Sequence, residues 1–407
     1  MTDFHALEIN TRARSIKPSA TLAIAAAASA LKAAGKKVFN FSAGQPDFAP
    51  PEVVARVVTE RLRGAPVGYA PVPGLPALRD AVAAELSAYH GMEISRSQVI
   101  VSCGAKHSLA NFFLATLEPG DEVIFPTPYW VSYPEMVGLG GGNSKIISCP
   151  RSQGFKLTPD QLAAAAGPKT KFLLLNSPSN PAGVAYTEAE LRALGEVLHI
   201  RAPQAWILSD DIYRKLTYGE PGHASVVRAC RDIPGLSKQI VLVDGVSKSH
   251  AMTGWRIGFL VAPEAVVTAV TAIQGQMTSG ASTPAQWAAL AALTEPEVEP
   301  ALAWMHARYR ERRSAMIAGL RAVGAEFVEP DGAFYIFPDF SHLCGPGCRF
   351  ADDLELAKFL LDEQGLATVP GSAFGAPGHL RFSFACGLDD IREGTARLRV
   401  LGSSTPM

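Results

Sequence analysis

The stretch VSKSHAMTGWRIGF (246–259) sets one lysine, Lys248, between two serines and returns an arginine, Arg256, eight residues later. A lysine that sheds its proton is a nucleophile toward a carbonyl carbon and can carry the resulting Schiff base. An arginine presents a planar fork of donors suited to phosphate oxygens. Four further stretches carry polar groups that could work with them. Asp210 closes the apolar run AWILSD (205–210), with Tyr213 three residues on, and Asn180 precedes a proline in NSPSNPAG. Gly104, Ala105 and Lys106 follow VIVSC and open a helical stretch, and a helix N-terminus receives anions on its free amides. Arg381 lies in GHLRFS. Each has a plain reading alone: a helix cap, a turn, an edge-strand charge, a solvated lysine. Their joint presence in this order asks for one pocket assembled from several loops on a rigid frame.

The frame is legible around them. Short apolar runs alternate with helical stretches: QVIVSC (98–103), DEVIFP (121–126), SKIISC (144–149), KFLLLN (171–176), AWILSD, QIVLVD (239–244) and IGFLVA (257–262). That rhythm predicts an α/β fold with a mostly parallel sheet between helices. Such sheets bind ligands beyond the carboxyl ends of their strands, where the polar residues above fall. A long helical stretch near 296–323 leads to AFYIFPDF, LELAKFLLDEQG, LRFSFA and DIREGTARLRVL, a smaller α+β domain joined by N-terminal residues. The expected division is an arm with part of the small domain (1–47), a large cofactor-binding domain (48–295) and a small C-terminal domain (296–407). GLGGGN (138–143) lacks the spacing of a dinucleotide loop and reads as a flexible connection.

Composition narrows the partners. The 407 residues carry a net charge of −1 without a long basic run, which argues against nucleic acid or an anionic membrane. With 48% hydrophobic and 18% charged residues, a sizeable core is expected. Six scattered cysteines fit a reduced cytoplasmic protein, and CGPGC (344–348) alone makes a poor zinc site, so no metal is expected. The alanine-rich run after TRARSIKPSAT mimics a signal peptide but reads as an ordinary helix over 21–34, and no stretch reaches the length of a membrane span.

Taken together, KPSAT, SAGQPDF, GYAPVPGLPALRDA, TPYWVSYPE, NSPSNPAG, SDDIY, SKSHAMTGWRIG and GHLRFSFA resemble the class I aminotransferases, pyridoxal-phosphate enzymes of fold type I. The resemblance spans nearly the whole chain and is nearest to the bacterial-type aspartate aminotransferases. It implies pyridoxal 5′-phosphate as cofactor, held by Lys248 as an aldimine, with the freed amine moving protons. Asp210 is then the carboxylate at the pyridine nitrogen, and Tyr213 and Asn180 bond the phenolic oxygen. Arg256, Ser247 and the backbone of Gly104, Ala105 and Lys106 hold the phosphate, and Trp130 stacks on the ring. Tyr69 reaches the phosphate of the neighbouring subunit, which implies a homodimer with shared active sites. Arg381 clamps the substrate α-carboxylate with Asn180, Trp130 and the backbone of Gly44. Two positions depart from the family pattern. Gly245 stands where a serine often touches the phosphate, with Ser247 or Ser249 as substitutes, and NPTG has become NPAG.

Aspartate carries a second carboxylate. No Arg or Lys lies between Arg256 and Arg308, so the arginine that animal-type enzymes use for it is absent. The bacterial type implies Lys106 with the Ser19 and Thr21 hydroxyls instead, and a compact ammonium with hydroxyl donors can recognise a carboxylate. The expected reaction is ping-pong transamination of L-aspartate and 2-oxoglutarate to oxaloacetate and L-glutamate. Prephenate or aromatic transamination in the same family is the alternative, and a pyridoxal-phosphate carbon–sulfur lyase is the alternative of another class.

Overall fold

A computed structural model describes residues 7–402 apart from Ser19, Ala65 and Pro221. The Ser19 hydroxyl therefore lies outside the described residues. A short strand β1 (Phe39–Asn40) precedes seven longer ones. These are β2 (Val99–Ser102), β3 (Glu122–Pro126), β4 (Asn143–Ile147), β5 (Thr170–Asn176), β6 (Trp206–Asp210), β7 (Ile240–Gly245) and β8 (Gly258–Val261). They form one sheet in the order β2-β8-β7-β6-β5-β3-β4, parallel except for β8, which runs against both neighbours.

Side chains alternate across this sheet, as the two-residue repeat of a strand requires. Phe172 and Leu174 of β5 face the helix Ala105–Thr116, packing with Phe112 and Phe113. Leu173 and Leu175 face the opposite layer, with Leu191, Leu194 and Leu198 of the helix Glu188–Arg201. Burial on both faces explains why these strands read as continuous apolar runs rather than as alternating ones.

The register brings the chemistry together. Asn176 pairs with Asp210 across β5 and β6, and Asp210 pairs with Val243 on β7. Ser102, Asn176, Asp210 and Gly245 thus end four strands that point the same way, and each is followed by a loop of the site.

The smaller strands are β9 (Tyr335–Ile336), β10 (Leu366–Ala367), β11 (Val369–Pro370) and β12 (Leu380–Ser383). β12 pairs antiparallel with β11 and β9, while β1 pairs parallel with β10. The N-terminal residues therefore do join the C-terminal ones. The alanine-rich run forms the helix Ala20–Ala33, and its Ala28 packs with Val38, Leu361 and Ala367. Among the described residues, no helix is long and apolar enough to cross a membrane.

GLGGGN is more ordered than the sequence suggests, and CGPGC forms a defined turn. GLGGGN is a tight turn between the helix Tyr133–Leu139 and β4, where a Cβ on Gly140 would stand 2.9 Å from the Phe113 carbonyl oxygen. Close approach of backbone, rather than flexibility, demands the glycine there. In CGPGC the Cys348 amide donates to the Gly345 carbonyl at 3.0 Å, with Gly347 at φ 78°. Proline followed by a positive-φ glycine makes this a type II turn. Cys344 packs against the core of the small domain, and Cys348 is exposed.

Candidate active site

The loops after β2, β5, β6 and β7 border a cleft of about 630 Å³, closed on its other side by the helix Ala20–Ala33, the segment after β1, and Tyr335 and Arg381. Of the residues expected from the sequence, it gathers Thr21, Gly44, Ala105, Lys106, Trp130, Asn180, Asp210, Tyr213, Ser247, Lys248, Arg256 and Arg381. Tyr69 is not among them. Its side chain is 96% exposed and does not join the cleft of its own chain.

Lys248 leaves β7 on a turn and sends its Nζ to the Gly44 carbonyl oxygen at 2.5 Å. Burial, with Arg381 and Arg256 nearby, lowers its pKa to about 8, which brings the neutral amine within reach of physiological pH. Asp210 is 4% exposed, and burial pushes its carboxyl up to about 7. Tyr133 opposes that push by donating to Asp210 Oδ2 at 2.6 Å, and the Ile212 amide donates to Oδ1 at 3.4 Å. Asn176 Nδ2 donates to the Asp210 carbonyl oxygen at 2.9 Å, and Asn176 Oδ1 accepts from the Asn180 amide at 2.8 Å. The end of β5 therefore fixes both the carboxylate strand and the asparagine loop.

Arg256 occupies the left-handed region, φ 56° and ψ 54°. A non-glycine residue there is strained, and such strain collects at functional sites. The conformation sends its guanidinium to Gly104, where a Cβ would stand 2.5 Å from Nη2. Gly104 itself has φ 91°, and Gly258 presses so close that its Cβ would meet the Ala105 nitrogen at 2.1 Å. Two glycines thus let an arginine and a helix N-terminus come together, an arrangement that suits an anion. The sequence reading needs one correction: the Gly104 amide is already spent on the Ser102 carbonyl at 2.7 Å. The amides of Ala105 and Lys106, which have no acceptor within a helix's first turn, are the ones left for an anion.

Gly245 also has a local cause. A Cβ there would lie 2.9 Å from the Ile257 carbonyl oxygen and 3.1 Å from Gly258 Cα, so a serine would not fit without a shift. Ser247 lines the cleft, whereas the Ser249 hydroxyl lies 2.8 Å from His250 Nδ1 on the far side of the turn. Ala182 of NPAG is buried among Val184, Phe155 and Phe337, where a methyl belongs.

Arg381 is 2% exposed. Nη1 donates to Asn180 Oδ1 at 3.0 Å and Nη2 to the Ser42 carbonyl at 2.7 Å, while Nε has no hydrogen-bond partner. Lys106 stands over the Trp130 ring, with Nζ 4.8 Å from its centroid. Tyr133, Tyr335, Asn176 and Ser42 are site residues that the sequence reading did not single out. All four lie within quoted stretches, TPYWVSYPE, AFYIFPDF, KFLLLN and SAGQPDF, but nothing local marks them.

Among the described residues, the buried Asp210 carboxylate receives hydrogen bonds only from a tyrosine and an amide and has no ion-pair partner. Lys248, with its lowered pKa, and the Arg256 guanidinium beside a helix N-terminus border the same cleft. A flat ring bearing a protonated nitrogen, a carbonyl and a phosphate meets all three needs. The comparisons agree. The profile of the family "Aminotransferase class I and II" matches residues 36–398.

The chain belongs to this aminotransferase family.

An aspartate aminotransferase of Geobacillus stearothermophilus is 42% identical over 394 residues, 96% of this chain and 98% of that one. An aspartate/prephenate aminotransferase of Cereibacter sphaeroides is 41% identical over 389 residues, 94% and 96% of the two chains. The solved aspartate aminotransferase of Thermus thermophilus with maleate superposes with a TM-score of 0.90 at 37% identity, covering 97% of this chain and all of that one. The fold is therefore fold type I, and the protein is a pyridoxal-phosphate-dependent aminotransferase that acts on amino and oxo acids.

Proposed function

We propose that this aminotransferase exchanges the amino groups of L-aspartate and L-glutamate with their 2-oxo acids, in two half-reactions at the one cleft. The observation that carries the reading is the convergence of half-buried Lys248 and buried Asp210 and Arg381 with Lys106 around one space. Bound pyridoxal phosphate supplies an electron sink for the bond broken at the substrate Cα. The chain supplies the rest. Arg256, Ser247 and the amides of Ala105 and Lys106 bind the phosphate. Asp210, kept ionised by Tyr133, holds the pyridine nitrogen in its protonated form. Tyr213 and Asn180 bond the phenolic oxygen, and Trp130 covers the ring face. Arg381 takes the α-carboxylate, and its buried Nη1 and Nη2 are already aimed by Asn180 and Ser42. Lys248, half-buried with a pKa of about 8, would take the proton from Cα in one half-reaction and return it to Cα in the other.

Lys106 and Thr21 border the same space and suit a second carboxylate, as does Ser19 by its place in the sequence. Maleate, the ligand of the Thermus thermophilus structure, is itself a dicarboxylate. A second reading, prephenate as amino acceptor, draws on the apolar lining by Leu22, Leu109 and Val131 beside Lys106, and on the Cereibacter sphaeroides relative's name. We also propose a cytoplasmic homodimer with shared sites, supported by six unpaired cysteines and by the exposure of Tyr69, and the domain division 1–47, 48–295 and 296–407.

Single-turnover reaction of the cofactor-loaded enzyme with L-aspartate tests the reading. Oxaloacetate should appear with conversion of the cofactor to its amine form. In Lys106→Ala the rate constant per substrate concentration should fall far more for aspartate than for phenylalanine. Equal losses would mean that Lys106 serves the cofactor alone.

A further inference from the structure

Tyr335 stands on β9, 1% exposed, at the floor of the cleft. Its hydroxyl lies 3.0 Å from that of Tyr213. The Arg381 guanidinium carbon lies 4.5 Å from the centroid of its ring, and the Phe374 ring sits 5.3 Å from the same carbon. One side chain thus touches both the group assigned to the substrate carboxylate and the group assigned to the cofactor's phenolic oxygen.

We infer that Tyr335 is a positioning residue with two separable duties: its ring sets the plane of Arg381, and its hydroxyl aims that of Tyr213. The inference rests on the roles given above to Arg381 and Tyr213. Asn180 and Ser42 hold two corners of the guanidinium, yet a planar group pinned at its edge can still tilt. An aromatic face against it resists tilting while leaving the fork free for a carboxylate. The hydroxyl pair works differently. Either oxygen can donate while nothing else competes. Once the Tyr213 proton is committed to an anionic oxygen, Tyr335 becomes the donor to Tyr213, and a donor that itself receives a hydrogen bond donates more strongly.

Two variants separate the duties, read on the cofactor-loaded enzyme by maleate affinity and by the pH midpoint of its visible absorbance. Tyr335→Phe keeps the ring. It should bind maleate within about twofold of the wild type, while the midpoint rises by roughly half to one pH unit, the scale of one hydrogen bond. Tyr335→Met keeps comparable volume without the ring. It should show the same midpoint rise and also bind maleate about tenfold more weakly, the loss of one good contact to a charged group. An unmoved midpoint in Tyr335→Phe overturns the inference by itself, so the test stands even if the Met variant does not fold. Wild-type maleate affinity in a folded Met variant overturns the bracing of Arg381. Arg381→Leu separates the two levels. If it binds maleate as the wild type does, the assignment of Arg381 fails whatever Tyr335 shows.

Discussion

Replacing Tyr133 with phenylalanine removes one oxygen and the only side-chain donor to Asp210 among the described residues. Both residues are buried, at 1% and 4% exposure, so water cannot take its place. A hydrogen bond to a charged group contributes about 1.5–3 kcal/mol, which corresponds to roughly one to two pKa units. Starting from about 7, the Asp210 carboxyl would then titrate between about 8 and 9. At pH 7.5 the ionised fraction would fall from about three quarters to about a tenth. Only the ionised form pairs with a protonated pyridine nitrogen, so cofactor affinity should drop by roughly eightfold at that pH. The assay is titration of cofactor-free protein with pyridoxal phosphate between pH 6 and 9. It is best done in a Lys248→Ala background, where covalent attachment does not mask the ring contact. The fold difference between variants should be largest at the acid end, approaching about thirtyfold at pH 6, and close above pH 9, once both carboxyls are ionised. An identical pH dependence for the two proteins would refute the claim that Tyr133 keeps Asp210 charged.

Gly258→Ala should destabilise the protein by ~3 kcal/mol, because its methyl would meet the Ala105 nitrogen at 2.1 Å. The shift would move the helix N-terminus, so cofactor affinity should fall with the thermal midpoint, and a loss of stability alone would place the anion site elsewhere. Asp210 also makes stability depend on pH. Its folded pKa of about 7 exceeds the unfolded value near 3.8, so the folded state keeps a proton that the unfolded state has released. This contribution is complete below pH 4 and is lost as pH rises through 7, a change on the order of 4 kcal/mol. Urea unfolding of cofactor-free protein at pH 5 and 8 should show about 2.6 kcal/mol of that fall in the wild type, the rest lying below pH 5, and a flatter profile in Asp210→Asn.

Much of this protein is written locally. Short apolar runs joined by helical stretches specify a mostly parallel sheet, and the runs closed by Asn176, Asp210 and Asp244 mark the edge at which a ligand binds. Lys248, Arg256 and the GAK segment belong to contiguous motifs whose chemistry follows from residue type, so they were legible before any fold was known. Arg381 was legible only through its motif, since nothing in LRFS says that the guanidinium is buried.

Other features exist only once the chain is folded. Tyr133 and Asp210 are 77 residues apart in sequence, and Tyr213 and Tyr335 are 122 apart. A tyrosine in an apolar run looks like core, and only its three-dimensional neighbour decides whether its hydroxyl is an idle group or a donor to a buried carboxylate. The pKa values of Lys248 and Asp210 belong to the same class, because burial and distant charges set them, and no local pattern reports desolvation. Gly245 is the clearest case. By sequence it is a lost serine; in the fold it is the residue that the Ile257 carbonyl allows. Local sequence determines which groups are present and on which strand ends they fall. Tertiary structure decides which of them meet, because contact, exclusion of water and the fit of a single Cβ depend on chain segments that sequence keeps far apart.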